Sequence, residues 1–226
     1  MIAVVLGAPG SGKGTQSRLL SEKHHLSHVA TGDILRSEIA MGTALGRQAD
    51  GYVKKGQLVP DELVTAMLAS RIERAPNDDY FLDGFPRNLR QAEELDKLLK
   101  RWDGRVDTAL FLSLPAAEAL KRLSARQICA KCGAVYNAVT KPVRKPGVCD
   151  ACGGDVVARG DDAKETAVRR IAVYEKETTP LLDHYRRRGI LREIDAAGDP
   201  IRVSRAMEAA LADFWDHRDG DGSGGT

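Results

Sequence analysis

Short apolar runs alternate along this chain with stretches of helical spacing. Ile2–Leu6 is unbroken apolar and stops at Gly7, and helical character follows from about Gly12 to Lys23. Ser27–Ala30 reads as a second strand, Asp79–Leu82 as a third, Thr108–Leu112 as a fourth and Leu191–Ile194 as a fifth. Leu89, Ala92, Leu95, Leu98 and Leu99 keep helical spacing, as do Val203, Met207, Ala210, Leu211 and Phe214, and both stripes read as core-facing. Such alternation predicts an α/β fold, a parallel sheet of about five strands with helices on both faces. Ligands on such sheets sit at the carboxyl ends of the strands.

Two stretches break the pattern. Residues 31–59 are helical, polar and dotted with glycine, with no strand. Residues 127–159 hold all four cysteines with Pro142, Pro146 and repeated glycines, which reads as an inserted, loop-rich module. The end of the chain, 219–226, has flexible-linker composition and is expected to be disordered.

The junction after the first strand carries the clearest chemistry. Residues 7–15 read G-A-P-G-S-G-K-G-T between a strand and a helix. A glycine-rich turn opening into a helix points several N–H groups, and the positive end of the helix dipole, at one spot. Gly10, Ser11, Gly12, Lys13, Gly14 and Thr15 are therefore candidates to hold a nucleotide's phosphates, with Lys13 as a point charge for the β- and γ-phosphates. Position 14 is Gly where the general phosphate-loop pattern has Ser or Thr, and the hydroxyl arrives one residue later at Thr15.

Composition narrows the class. The chain has 226 residues, 42% apolar and 29% charged, with a net charge of +2, so no broad basic field points to nucleic acid or an anionic membrane. No apolar stretch approaches the roughly 20 residues that span a bilayer. The first strand runs straight into the loop, which leaves no room for a signal peptide, and a cytoplasmic protein is expected. Cysteines are then metal thiolates more readily than disulfides. Cys129-x-x-Cys132, sixteen residues, and Cys149-x-x-Cys152 have the spacing of a structural zinc site whose four sulfurs leave no open position. A redox disulfide pair or an iron–sulfur cluster is the alternative at those four positions.

Arginines gather at the borders of the irregular stretches. Arg36 follows Thr31-Gly-Asp33, Arg87 closes Asp83-Gly-Phe-Pro, and Arg122 and Arg126 precede the first cysteine pair. Arg159 precedes Asp161-Asp162, and Arg170 comes a few residues later. Phosphoryl transfer spreads negative charge over equatorial oxygens, and bidentate guanidinium groups neutralise it well. Asp83 and Asp33 are candidates to hold magnesium-bound waters rather than to act as bases.

Taken together, G-A-P-G-S-G-K-G-T-Q at 7–16, T-G-D-I-L-R at 31–36, G-Q-L-V-P-D at 56–61, D-G-F-P-R at 83–87, R-x-D-D at 159–162 and E-T-A-V-R-R at 165–170 closely resemble the adenylate kinases, over about residues 1–215. G-K-G-T is how that family writes its phosphate loop, and a cysteine-bearing lid marks its long-lid bacterial type. The resemblance implies a phosphate-loop core (1–29, 60–125 and 164–218), an AMP-binding flap (30–59) and a zinc-ribbon-like lid (126–163). It implies an ATP site of the loop residues with Arg122, Arg126, Val135, Tyr136 and the backbone near Asp199. It implies an AMP site of Thr31, Arg36, Gln57, Leu58, Val59, Gly84, Phe85, Pro86, Arg87 and Gln91, with Arg159 and Arg170 reaching it. Lys13, Asp83, Arg87, Arg126, Arg159 and Arg170 would serve catalysis. Val135 stands where many relatives have Thr, so a side-chain hydroxyl contact is lost there. Magnesium with ATP, structural Zn2+, ADP as product and a monomeric state complete the expectation. A kinase for UMP or CMP is one alternative, and a non-catalytic nucleotide-binding zinc protein is another. A dehydrogenase is disfavoured, because the G-x-G-x-x-G fingerprint is absent.

Overall fold

The computed structural model describes residues 1–75 and 79–215. The expected tail at 219–226, with 216–218 of the expected core, lies outside the described residues. The elements in order are β1 (Ile2–Gly7), α1 (Lys13–His24), β2 (Ser27–Ala30), α2 (Thr31–Ala40), α3 (Ala44–Lys54), α4 (Asp61–Ile72), β3 (Tyr80–Asp83), α5 (Leu89–Lys100) and β4 (Thr108–Ser113). They continue with α6 (Ala116–Ser124), β5 (Arg126–Cys129), β6 (Val135–Asn137), β7 (Val156–Ala158), α7 (Lys164–Val173), a π-helical turn (Tyr174–Thr178), α8 (Pro180–Arg187), β8 (Leu191–Asp195) and α9 (Pro200–Ala210).

Five strands form the parallel sheet β2-β3-β1-β4-β8. β1 is buried at all six positions, which is why it reads as a continuous apolar run rather than an alternating one. Its side chains still divide by period two. Ile2, Val4 and Leu6 join the core under α4, α5 and α8, while Ala3 and Val5 face the core of α1 and α9. β3 and β4 flank β1 on opposite sides, so the order of connection reverses at its carboxyl end. That end is the crevice where ligands bind on open α/β sheets, and it holds the phosphate loop.

The α5 stripe needs one correction. Ala92, Leu95, Leu98 and Leu99 are buried, but Leu89, the first residue of the helix, is 41% exposed. The cysteine segment also holds more regular structure than its composition suggests. β6, β5 and β7 pair antiparallel into a small sheet, with Cys129, Tyr136, Cys149 and Val156 as its core. Strands of three or four residues between glycines and prolines are too short to show a period.

Candidate functional site

The phosphate loop is shaped by its glycines. Gly10 has φ 89°, and a Cβ there would meet the Ala119 carbonyl oxygen at 2.7 Å, so only glycine fits between the loop and α6. Gly12 begins α1 with no side-chain cap, which leaves the first-turn N–H groups directed at the crevice. Lys13 folds back over the loop, its Nζ donating to the carbonyl oxygens of Gly7 at 2.6 Å and Ala8 at 2.9 Å. Burial lowers the Lys13 ammonium to about 8, with Asp83 pulling the other way.

Asp83 ends β3 beside it. Burial raises the Asp83 carboxyl, but His28, Lys13 and Arg87 outweigh that and hold it below the usual carboxylate range. His28 Nε2 lies 3.9 Å from Asp83 Oδ2. Asp83 also explains position 14, where a Cβ would stand 3.1 Å from Asp83 Oδ2. A Ser or Thr at 14 would crowd that carboxylate.

A cavity of about 390 Å3 runs from this loop towards the small sheet. It is lined by Gly10–Thr15, Asp83, Gly84, Pro86, Arg87, Arg122, Arg126, Val135, Tyr136, Arg159 and Arg170. A second cavity of about 60 Å3 adjoins it, lined by Thr31, Arg36, Gln57, Leu58, Val59, Gly84, Arg87, Gln91 and Arg170. Arg36, Arg87 and Arg170 face both spaces. Two of the expected residues lie elsewhere. Phe85 is 1% exposed and packs into the core, and the Asp199 side chain caps α9 by accepting from the N–H groups of Ile201 and Arg202. Its neighbours Ala196, Gly198 and Pro200 line the larger cavity instead.

The arginines are paired around two aspartates. Arg126 donates through Nε and Nη2 to Asp162, both at 2.6 Å, and Arg170 Nη1 donates to Asp162 Oδ1 at 2.5 Å. Arg159 grips Asp161 at 2.7 and 3.0 Å, and Arg36, whose Nη2 donates to Asp33 on the lining of the larger cavity, brings its Nη1 within 3.8 Å of the Asp161 carboxylate. Burial opposes the charge on Asp161, but Arg159, Arg170 and Arg36 hold it far below the ordinary carboxylate range. Burial lowers Arg170 to about 10. Cations from α2, β5, the β7–α7 junction and α7 thus converge on one acidic pair (Asp161-Asp162) next to the crevice. Arg122 is held apart from them by Glu118 at 3.2 Å.

In the small sheet the four Sγ atoms lie within 4.8 Å of one another, with Cys129–Cys152 at 3.5 Å and Cys132–Cys149 at 3.6 Å. A tetrahedron with Zn–S bonds of about 2.3 Å has edges of about 3.8 Å, so the donors fit zinc. The same separations are far beyond an S–S bond. Tyr136 packs under the cluster, its hydroxyl 3.3 Å from Cys149 Sγ and accepting the Asp150 N–H. That hydroxyl lowers the Cys149 thiol to about 6, against the opposing effect of burial. Tyr136 therefore lines the larger cavity while its hydroxyl serves the sulfur cluster.

Sequence reading alone missed a supporting layer. Thr178, in the π-helical turn, donates to the Arg87 carbonyl oxygen, Asp61 accepts from the Gln91 side-chain amide, and Asn88 donates to Asp61 while accepting the Gln91 backbone N–H. The single available signal was G-Q-L-V-P-D, which contains Asp61 but gives it no task.

A phosphate loop at the switch point of a parallel sheet defines a phosphate-loop nucleotide-binding protein. The sequence model of the adenylate kinase family matches residues 5–190. An adenylate kinase of Archaeoglobus fulgidus is 42% identical over 212 residues, covering 93% of this chain and 98% of the relative. One of Thermodesulfovibrio yellowstonii is 44% identical over 214 residues, covering 93% and 99%. One of Ruminiclostridium cellulolyticum is 42% identical over 212 residues, covering 93% and 99%. The chain belongs to the adenylate kinase family, and it is a nucleoside-monophosphate phosphotransferase.

Proposed function

We propose that the protein transfers a phosphoryl group reversibly from ATP to AMP, giving two ADP. The observation that carries this reading is the pair of adjoining cavities with Arg36, Arg87 and Arg170 facing both. A donor's γ-phosphate and an acceptor's α-phosphate would meet at that junction. Gly10, Ser11, Gly12, Lys13, Gly14 and Thr15 hold the ATP phosphates, and Arg122, Val135, Tyr136 and the backbone around Asp199 border its adenosine. Thr31, Gln57, Leu58, Val59, Gly84, Pro86 and Gln91 hold AMP, with Arg36 and Arg87 on its phosphate and Phe85 supporting from the core.

In this reading Arg126, Arg159 and Arg170 exchange their aspartate partners for the transferring phosphoryl. Asp161 and Asp162 keep the guanidinium groups assembled until the nucleotides arrive, so the ordering cost is met in advance. Residues 30–59 act as a flap and 126–163 as a lid, both carried on the core, and their closure excludes water that would hydrolyse ATP. The ionised Asp83 carboxylate, with Asp33 at the rim, would hold the waters of a magnesium ion bound with ATP, which would neutralise phosphate charge. Cys129, Cys132, Cys149 and Cys152 hold a structural zinc that stiffens the lid. The protein works as a monomer in the cytoplasm on small nucleotides, with neither nucleic acid nor membrane as a partner. The reverse reaction tests the proposal. ADP with Mg2+ should convert to ATP and AMP until the three equilibrate, and ADP left intact by folded protein would overturn it.

A further inference from the structure

The Gln91 amide is held at both ends. Its Oε1 accepts the Arg87 N–H at 2.8 Å, and its Nε2 donates to Asp61 Oδ1 at 2.7 Å. Gln91 is 1% exposed and lines the smaller cavity. Asp61 is fixed in turn, because Asn88 Nδ2 donates to its two oxygens at 3.1 and 3.3 Å. Asn88 caps α5 by accepting the Gln91 N–H at 2.8 Å, which closes the ring of contacts.

The two ends of a primary amide have nearly the same shape, and rotation by half a turn exchanges donor for acceptor. Here that rotation would set Oε1 against the Asp61 carboxylate and the NH2 group against the Arg87 N–H. Two hydrogen bonds would become two like-to-like contacts in a buried site. Each end keeps one further capacity, a second N–H and a second lone pair. A bidentate glutamine matches adenine, which offers an amino donor beside a ring-nitrogen acceptor. Guanine offers its O6 acceptor beside the N1–H donor, the opposite order, and needs the rotated amide.

We propose that Asp61 is a positioning residue that sets acceptor specificity, locking Gln91 in the orientation that takes adenine and refuses guanine. The inference rests on the AMP reading of the smaller cavity. A purely structural role for Asp61, an acid in the first turn of α4, would weaken every acceptor alike.

The test compares kcat/KM for AMP and GMP, with ATP as donor, in wild type, Asp61→Ala and Asp61→Ser, which remove the carboxylate oxygen that accepts from Gln91 Nε2. Thermal melting checks that each variant is folded. The lock predicts that the AMP:GMP ratio falls about tenfold in both variants, carried by the acceptor KM with kcat at saturating AMP little changed, as expected from loss of one hydrogen-bond preference. An unchanged ratio in a folded variant overturns the lock. If neither variant folds, side-chain amide exchange in the wild-type protein decides. One protected Gln91 Nε2 proton supports the lock, and free exchange of both overturns it. Wild-type protein that ignores AMP would instead sink the acceptor reading on which the lock depends.

Discussion

Thr178 donates its hydroxyl to the backbone carbonyl oxygen of Arg87 at 2.7 Å, across 91 positions of sequence. The donor sits in the π-helical turn between α7 and α8, and the acceptor closes the loop after β3. π-Bulges often mark functional sites, and this one brings a buried hydroxyl to the back of an arginine that faces both cavities.

Thr178→Val should therefore act on both stability and acceptor binding. A buried carbonyl without its partner costs about 1–3 kcal/mol. The KM for AMP should rise more than that for ATP, and Thr178→Ser should restore both. Equal changes in the two KM values would detach Thr178 from Arg87's role.

Position 14 offers a second check. Replacing a helical glycine with alanine ordinarily stabilises by up to about 1 kcal/mol. Here the new Cβ would press on Asp83 at 3.1 Å. Gly14→Ala should gain no stability, and displacement of Asp83 by a few tenths of an ångström should lower turnover about tenfold. A more stable variant with full turnover would show that Asp83 yields freely.

Lys13 gives a pH signature. Burial holds it at about 8, against an ordinary value of 10.5. Phosphates favour the ammonium, so ATP binding above pH 8 must take up a proton, and Kd should rise by up to about tenfold per pH unit there. Calorimetry between pH 7 and 9.5 checks this, and a flat Kd would contradict it. Stability runs in the opposite sense. The unfolded chain keeps this proton up to about pH 10.5, so the cost of burying the charge is full below pH 8 and is relieved as pH rises through that window.

Cysteine replacement separates stability from chemistry. Cys129→Ser should lower Tm by about 5–10 °C, since 1 kcal/mol moves a domain of this size by about 2–4 °C. Turnover at low temperature should change little, and metal analysis should show zinc lost from the variant. A large loss of turnover with the fold intact would make the lid metal more than structural.

The arginines should behave oppositely. Arg126→Ala should lower kcat about 10³-fold or more, as for other arginines that meet a transferring phosphoryl, and Arg87→Ala should lower kcat/KM for AMP by a similar factor. Near-normal rates in both would remove them from the reaction.

The contrast between legible and hidden features has a physical origin. β1 announces itself because a strand buried on both faces is apolar along its length, β4 because its centre, Ala109–Leu112, is, and Ala92, Leu95, Leu98 and Leu99 because a helix on a sheet keeps its period. The phosphate loop and the cysteine pairs are legible because their chemistry depends on close spacing. Thr178 and Asp61 act across 91 and 30 positions through hydrogen bonds, which leave no local pattern. The crowding of Gly14 by Asp83 belongs to the same class, and so does the helix-capping task of Asp199 that removes its side chain from the cavity.

The pairing of an ATP donor with an AMP acceptor is reached most directly by one measurement. ADP formation from ATP and Mg2+ should be followed with AMP, CMP, UMP and GMP as acceptors. Strong turnover with AMP and little with the other three is the predicted result. Turnover with a pyrimidine in preference to AMP, or none with any acceptor in folded, zinc-loaded protein, would contradict it.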